Sequence, residues 1–128
     1  MKNYVIYTIL GDTKFFFELS YGIFFYIIEL HEFIGDSQKK MERMKGRVIG
    51  KDGKMRSLIE DTTQNCMSAY GKTISLIGNM NEIELAKEAI KMLLSGSAHS
   101  TVITFLNRKK RELMKKENEL KKLNLEKG

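Results

Sequence analysis

The chain has 128 residues, about one domain's worth. Hydrophobic residues make up 42%, enough for a packed core, and 30% charged residues with no proline indicate a soluble, helix-rich protein. The net charge of +6 is uneven: residues 1–35 hold two lysines against four acids, whereas the other 20 basic residues face 12 acids, so the second part suits a polyanionic partner.

Cys66 is the single cysteine, which excludes an intrachain disulfide and a thiolate metal cluster within one chain. It reads as a small buried residue in a strand and fits a reducing, cytoplasmic setting. The apolar runs Tyr4–Leu10 and Tyr21–Ile28 fall well short of the roughly 20 residues that span a bilayer. Gly11-Asp12-Thr13-Lys14 follows the first run without a small-residue cleavage site. Neither a membrane span nor a targeting segment is expected.

In chain order, Tyr4–Leu10 and Lys14–Leu19 are rich in β-branched and aromatic residues and flank Gly11-Asp12, which predicts a hairpin. Phe24–Leu30 reads as a buried strand. From Ser37 to Ile49 the pattern changes: Met41, Met44 and Val48 recur at helical spacing, and the helix stops at Gly50. A second helix over Lys54–Thr62 turns Leu58 and Ile59 inward and Lys54 and Arg56 outward. Cys66–Tyr70 and Thr73–Ile77 flank Gly71-Lys72, a two-residue hairpin turn. An amphipathic helix follows, with Asn81 as its cap and Glu84 completing a capping box, and Ser95-Gly96 ends it. A last helix starts near Ser100 and buries Val102, Phe105 and Leu106. Beyond Arg108 the Lys/Glu-rich chain reads as a solvated, fraying helix; Leu106, Leu113 and Leu120 stand seven apart, too few for a coiled coil.

The chemistry concentrates in Lys45-Gly46-Arg47-Val48-Ile49-Gly50-Lys51-Asp52-Gly53-Lys54-Met55-Arg56. Two helices meet at a tight loop with glycine at both ends, where another backbone approaches without meeting a Cβ. The N-terminus of the second helix aims free N–H groups and partial positive charge at whatever sits on the loop, which suits phosphate. Between Lys39 and Arg56 there are eight basic residues and two acids. Asp52, an acid inside this loop, is expected to cap the second helix rather than to read a base.

A bare GxxG is a weak signal. Its context is stronger: an apolar pair before the first glycine, a basic helix after the second, then a hairpin and an amphipathic helix. That order is similar to the type I (eukaryotic-type) KH domain, an α+β fold with a three-stranded sheet packed against helices, here with an extra C-terminal helix. Most KH modules place an aliphatic residue three positions after the second glycine, where this chain has Arg56. Gly53-Lys54-Met55-Arg56 with Ile59-Glu60, Tyr70-Gly71-Lys72-Thr73, Ile77-Gly78-Asn79, Ala86-Lys87-Glu88-Ala89-Ile90 and Leu94-Ser95-Gly96-Ser97 resemble archaeal members of the partner-of-Nob family. So do Ile27-Ile28-Glu29-Leu30, the Ser37–Lys45 segment and Asn107-Arg108-Lys109-Lys110.

The resemblance implies small-ribosomal-subunit assembly and an rRNA ligand. It also implies, as partners, the Nob endonuclease and the alpha subunit of initiation factor two. Members usually carry two KH-like units; here residues 24–107 correspond to one, residues 1–23 to a short segment or remnant of the other, and residues 108–128 to a basic tail. The loop Gly50–Gly53 is expected to hold single-stranded RNA. Arg47, Lys51, Lys54 and Arg56 would neutralise phosphates, Ile49 and Leu58 would shape an apolar groove, and Lys72 at the hairpin tip would touch RNA. The alternatives are a KH protein of another RNA pathway, such as mRNA binding or decay, and a protein-interaction module with a vestigial loop.

Other signals are weaker. Gly71-Lys72-Thr73 copies the end of a P-loop, but Cys66 stands where that motif needs its first glycine. His31 and His99 are isolated, so no metal site is expected. Scattered acids and serines without a base partner point to no catalysis and no cofactor.

Overall fold

The computed structural model describes residues 3–9 and 12–127, with side chains from 21 to 126. The chain forms β1 (Asn3–Ile9), β2 (Asp12–Ser20), β3 (Ile23–Glu29), α1 (His31–Ile34) and α2 (Gln38–Ile49). A 3-10 turn over Lys51–Gly53 leads to α3 (Lys54–Thr63), β4 (Cys66–Tyr70), β5 (Thr73–Gly78), α4 (Met80–Leu94) and α5 (His99–Lys127). The expected three-stranded KH sheet is present as β3, β5 and β4, all antiparallel. The hairpin of β1 and β2 extends it to five strands in the order β1-β2-β3-β5-β4. The turn expected at Gly11-Asp12 lies partly outside the described residues.

Side-chain alternation shows why β3 sits where it does. Phe24, Tyr26 and Ile28 are buried, while Ile23, Ile27 and Glu29 face outward, the period of two that a half-covered sheet requires. Ile74 and Leu76 of β5 and Met67 of β4 continue the buried layer. Val48, Ile59, Ile83, Ile90 and Leu106 close it from the helices, each with no exposed surface. The Lys87 ammonium is buried with them, 5.2 Å from the centre of the Tyr26 ring and 4.0 Å from Glu84.

Three local expectations are corrected. The capping box of α4 belongs to Asn79 and Glu82, not to Asn81 and Glu84: Asn79 Oδ1 accepts the Glu82 N–H at 2.8 Å, and Glu82 Oε2 accepts the Asn79 N–H at 3.0 Å. The helix starts two residues earlier, at Met80, directly after the end of β5 at Gly78 and its cap Asn79. Cys66 is in a strand but exposed, since it opens β4 on the outward side of the sheet. His31 is not isolated: its donor atoms and those of Glu29 and Glu32 lie within 4.8 Å of one another, all exposed, with His31 Nδ1 3.4 Å from Glu29. The short helix α1, absent from the sequence reading, brings them together. Among the described residues no helix is long and apolar enough to cross a membrane.

Candidate nucleic-acid interface

Ser37 caps α2 by accepting the Lys40 N–H, and the helix ends at Gly50, which takes φ 76° and ψ 172°. That region is open essentially to glycine alone. It also has to be glycine for space: a Cβ there would sit 2.7 Å from Met55 Cβ and 2.9 Å from Met55 N. The chain therefore folds back sharply enough to lay the start of α3 against the end of α2. Gly53 then adopts the left-handed conformation with open space around it, and its N–H donates to Gly50 O at 3.2 Å.

Asp52 does not cap α3; no side chain does. It stands at φ 55°, ψ 27°, in the left-handed region that a short polar side chain tolerates better than most. Its identity follows from that backbone. The Lys54 N–H donates to Lys51 O, and no side chain covers the start of α3, whose partial positive charge faces the loop.

The ten residues expected to form the site separate into groups. Lys51, Asp52, Lys54, Arg56 and Lys72 are exposed, and Ile49, Gly50, Gly53 and Leu58 are half-buried. Leu58 packs against the core. Lys51 and Lys54 make no ion pair among the described residues, so both ammonium groups are available beside the loop. Arg47 is placed differently: its guanidinium donates to Ser97 O in the turn between α4 and α5, and its Nε is buried without a hydrogen-bond partner among the described residues. Arg56 is also engaged, with Nε 3.3 Å from Glu60 Oε1.

Two contributors were missed by the sequence reading. Lys45 Nζ donates to Gly71 O at 3.0 Å, tying the β4–β5 turn to the last part of α2. Lys72 follows directly at that turn and is exposed. Glu60 Oε2 accepts the Met67 N–H at 3.0 Å, linking α3 to the free edge of β4. Neither contact leaves a motif, because each joins a side chain to a backbone group, 26 and 7 residues along the chain. The Glu60–Met67 contact sets α3 against the free edge of β4, and Lys51 and Lys54 stand exposed at the α2–α3 turn before it.

The family model for the second KH domain of Pno1 proteins, described as the eukaryotic-type KH domain (KH-domain type I), matches residues 24–111. A KH domain-containing protein of Methanocaldococcus jannaschii is 38% identical over 94 residues, covering 73% of this chain and 41% of the relative. The RNA-binding protein pno1 of Dictyostelium discoideum is 40% identical over 57 residues, covering 44% of this chain and 24% of the relative. Among solved structures, a protein of unknown function from Aeropyrum pernix superposes with a TM-score of 0.76 at 35% identity, covering 83% of this chain and 56% of that one. A chain of an a/eIF2alpha–aDim2p–rRNA complex from Pyrococcus horikoshii gives 0.68 at 39% identity, covering 73% of this chain and 50% of that one. The chain thus spans less than half the length of the curated relatives it matches. A GxxG loop between two helices, β4 free at the sheet edge and a family match over residues 24–111 agree: the chain belongs to the type I KH-domain family, in its partner-of-Nob group.

Proposed function

We propose that the loop Gly50–Gly53, α3 and the β4 edge form a cleft that binds single-stranded RNA, and that the RNA is the small-subunit rRNA or its precursor. The supporting observation is the loop itself. Two glycines in backbone conformations closed to most residues bring together the N-terminus of α3 and two exposed lysines that make no ion pair among the described residues. An RNA backbone matches that point in charge and shape. Lys51, Lys54 and Lys72 neutralise phosphates, and Ile49 and Leu58 form the apolar side of the cleft. Relatives named as pre-rRNA-processing proteins, and the Pyrococcus complex containing rRNA and a/eIF2alpha, support the ribosomal assignment. On the same grounds the alpha subunit of initiation factor two is the first protein partner to test. The function is binding rather than catalysis, in a cytoplasmic setting, with residues 24–107 as the RNA-binding unit and residues 108–128 as a basic extension.

The test is a titration of labelled single-stranded RNA from the 3′ end of small-subunit rRNA at several salt concentrations. Three to four phosphate contacts give a log–log slope of about −2 to −3. Lys51→Asp, which makes the loop acidic at both central positions, should abolish binding while thermal unfolding stays unchanged. Binding that ignores salt and survives Lys51→Asp would overturn the assignment. Sequencing the RNA that co-purifies separates rRNA from mRNA.

A further inference from the structure

The cleft is polar where the chain passes from α3 into β4. Because β4 is the free edge of the sheet, the Met67 N–H points out towards the cleft, and Glu60 Oε2 accepts it at 3.0 Å. The other carboxylate oxygen lies 3.3 Å from Arg56 Nε. Arg56 and Glu60 are four apart on α3, so they stack along one face of it. Arg56 keeps 45% of its side-chain surface exposed and Glu60 26%. Glu60 is thus held from two sides, yet each oxygen has a lone pair left, and the terminal nitrogens of Arg56 make no hydrogen bond to other described side chains. Seven residues separate Gly53 from Glu60, about 10 Å along the helix, within reach of the strand the loop holds.

We propose that Arg56 and Glu60 together read a guanine, an inference that rests on the assignment of the cleft to single-stranded RNA. A fixed carboxylate beside a guanidinium offers two acceptors and then donors. The Watson–Crick edge of guanine is the complement: N1–H and N2–H face the two carboxylate oxygens, and O6 faces Arg56. Adenine and cytosine each present one amino group there, so they make one hydrogen bond to the carboxylate where guanine makes two. Uracil sets two carbonyl oxygens around one N–H, and these repel the carboxylate. Both carboxylate oxygens keep a protein partner throughout, so discrimination comes from the second hydrogen bond that guanine alone makes and from the carbonyl repulsion that rejects uracil. Arg56 then serves base reading, and the phosphate charge rests on the lysines.

The experiment measures affinities of labelled adenine-rich single-stranded oligomers carrying one central guanine, inosine, adenine, cytosine or uracil. The guanine oligomer should bind about tenfold tighter than the all-adenine one, and inosine, which lacks the N2 amine, should lose most of that gain. Glu60→Gln keeps an oxygen for the Met67 N–H but turns an amide donor towards the base, so the guanine-to-adenine ratio should fall to near one. Arg56→Lys, which keeps the charge and loses the fork, should lower the ratio as well without lowering the salt slope. Equal affinities across the five oligomers, or a ratio that survives Glu60→Gln, would overturn the guanine assignment and leave RNA binding standing. Failure to bind any oligomer would overturn the RNA assignment itself, and this inference with it.

Discussion

A Cβ placed on Gly50 would lie 2.7 Å from Met55 Cβ, across the loop that joins α2 to α3. No side chain can fit there without moving one helix off the other, and φ 76° with ψ 172° adds backbone strain of about 1–3 kcal/mol. Gly50→Ala should therefore cost about 2–4 kcal/mol, read as a drop of roughly 10 °C in the thermal midpoint. Gly53→Ala meets open space and should cost about 1 kcal/mol. Equal losses for the two variants would mean that packing on Met55 is unimportant.

Capping separates Asn79 from Asn81 as sharply. Asn79 exchanges two hydrogen bonds with Glu82 at the start of α4, whereas Asn81 is exposed within the helix's first turn. Asn79→Ala should cost about 1 kcal/mol. Asn81→Ala should stay within about 0.5 kcal/mol, as surface changes do. Urea midpoints at constant slope decide the comparison, and a larger loss at Asn81 would contradict the observed helix start.

These positions show what could be read from residues alone. The two helices around the loop, the β4–β5 hairpin and the burial of Val102, Phe105 and Leu106 follow local patterns of spacing and turn chemistry, and so were legible. The α4 cap was misplaced by two residues because Asn79-x-x-Glu82 and Asn81-x-x-Glu84 have the same spacing. Which one caps depends on where β5 stops, and that is set by its pairing with β3, where Gly78 still stands opposite Phe24. The acidity of Asp52 suggests a cap, whereas its side chain caps nothing and its backbone is left-handed, a conformation that depends on the loop around it. The contacts Lys45–Gly71, Glu60–Met67 and Arg47–Ser97 each pair a side chain with a distant backbone group. A backbone group carries no residue identity, so a single sequence holds no trace of such pairs.

Cys66 illustrates the same limit and can be tested chemically. Its exposure on the outward side of β4 means that the thiol reacts without unfolding. An aromatic disulfide reagent should titrate one thiol per chain in native buffer, at a rate unaffected by sub-denaturing urea. A rate that tracks the unfolding equilibrium would show that the cysteine is covered.

Arg47 is the residue for which charge and structure suggest different roles. Its sequence position, three before Gly50, makes it an obvious phosphate ligand. Its guanidinium instead donates to Ser97 O, bracing the α4–α5 turn against α2. A hydrogen bond from a charged donor contributes about 1.5–3 kcal/mol, and removing it leaves the Ser97 carbonyl without that donor. Arg47→Ala should therefore lower the thermal midpoint by roughly 5–10 °C while the salt slope of RNA binding stays the same. Lys54→Ala should do the reverse: no change in stability, and a slope reduced by about 0.7, the share of one phosphate contact on a single strand. A reduced slope for Arg47→Ala at unchanged stability would place its charge on the RNA after all.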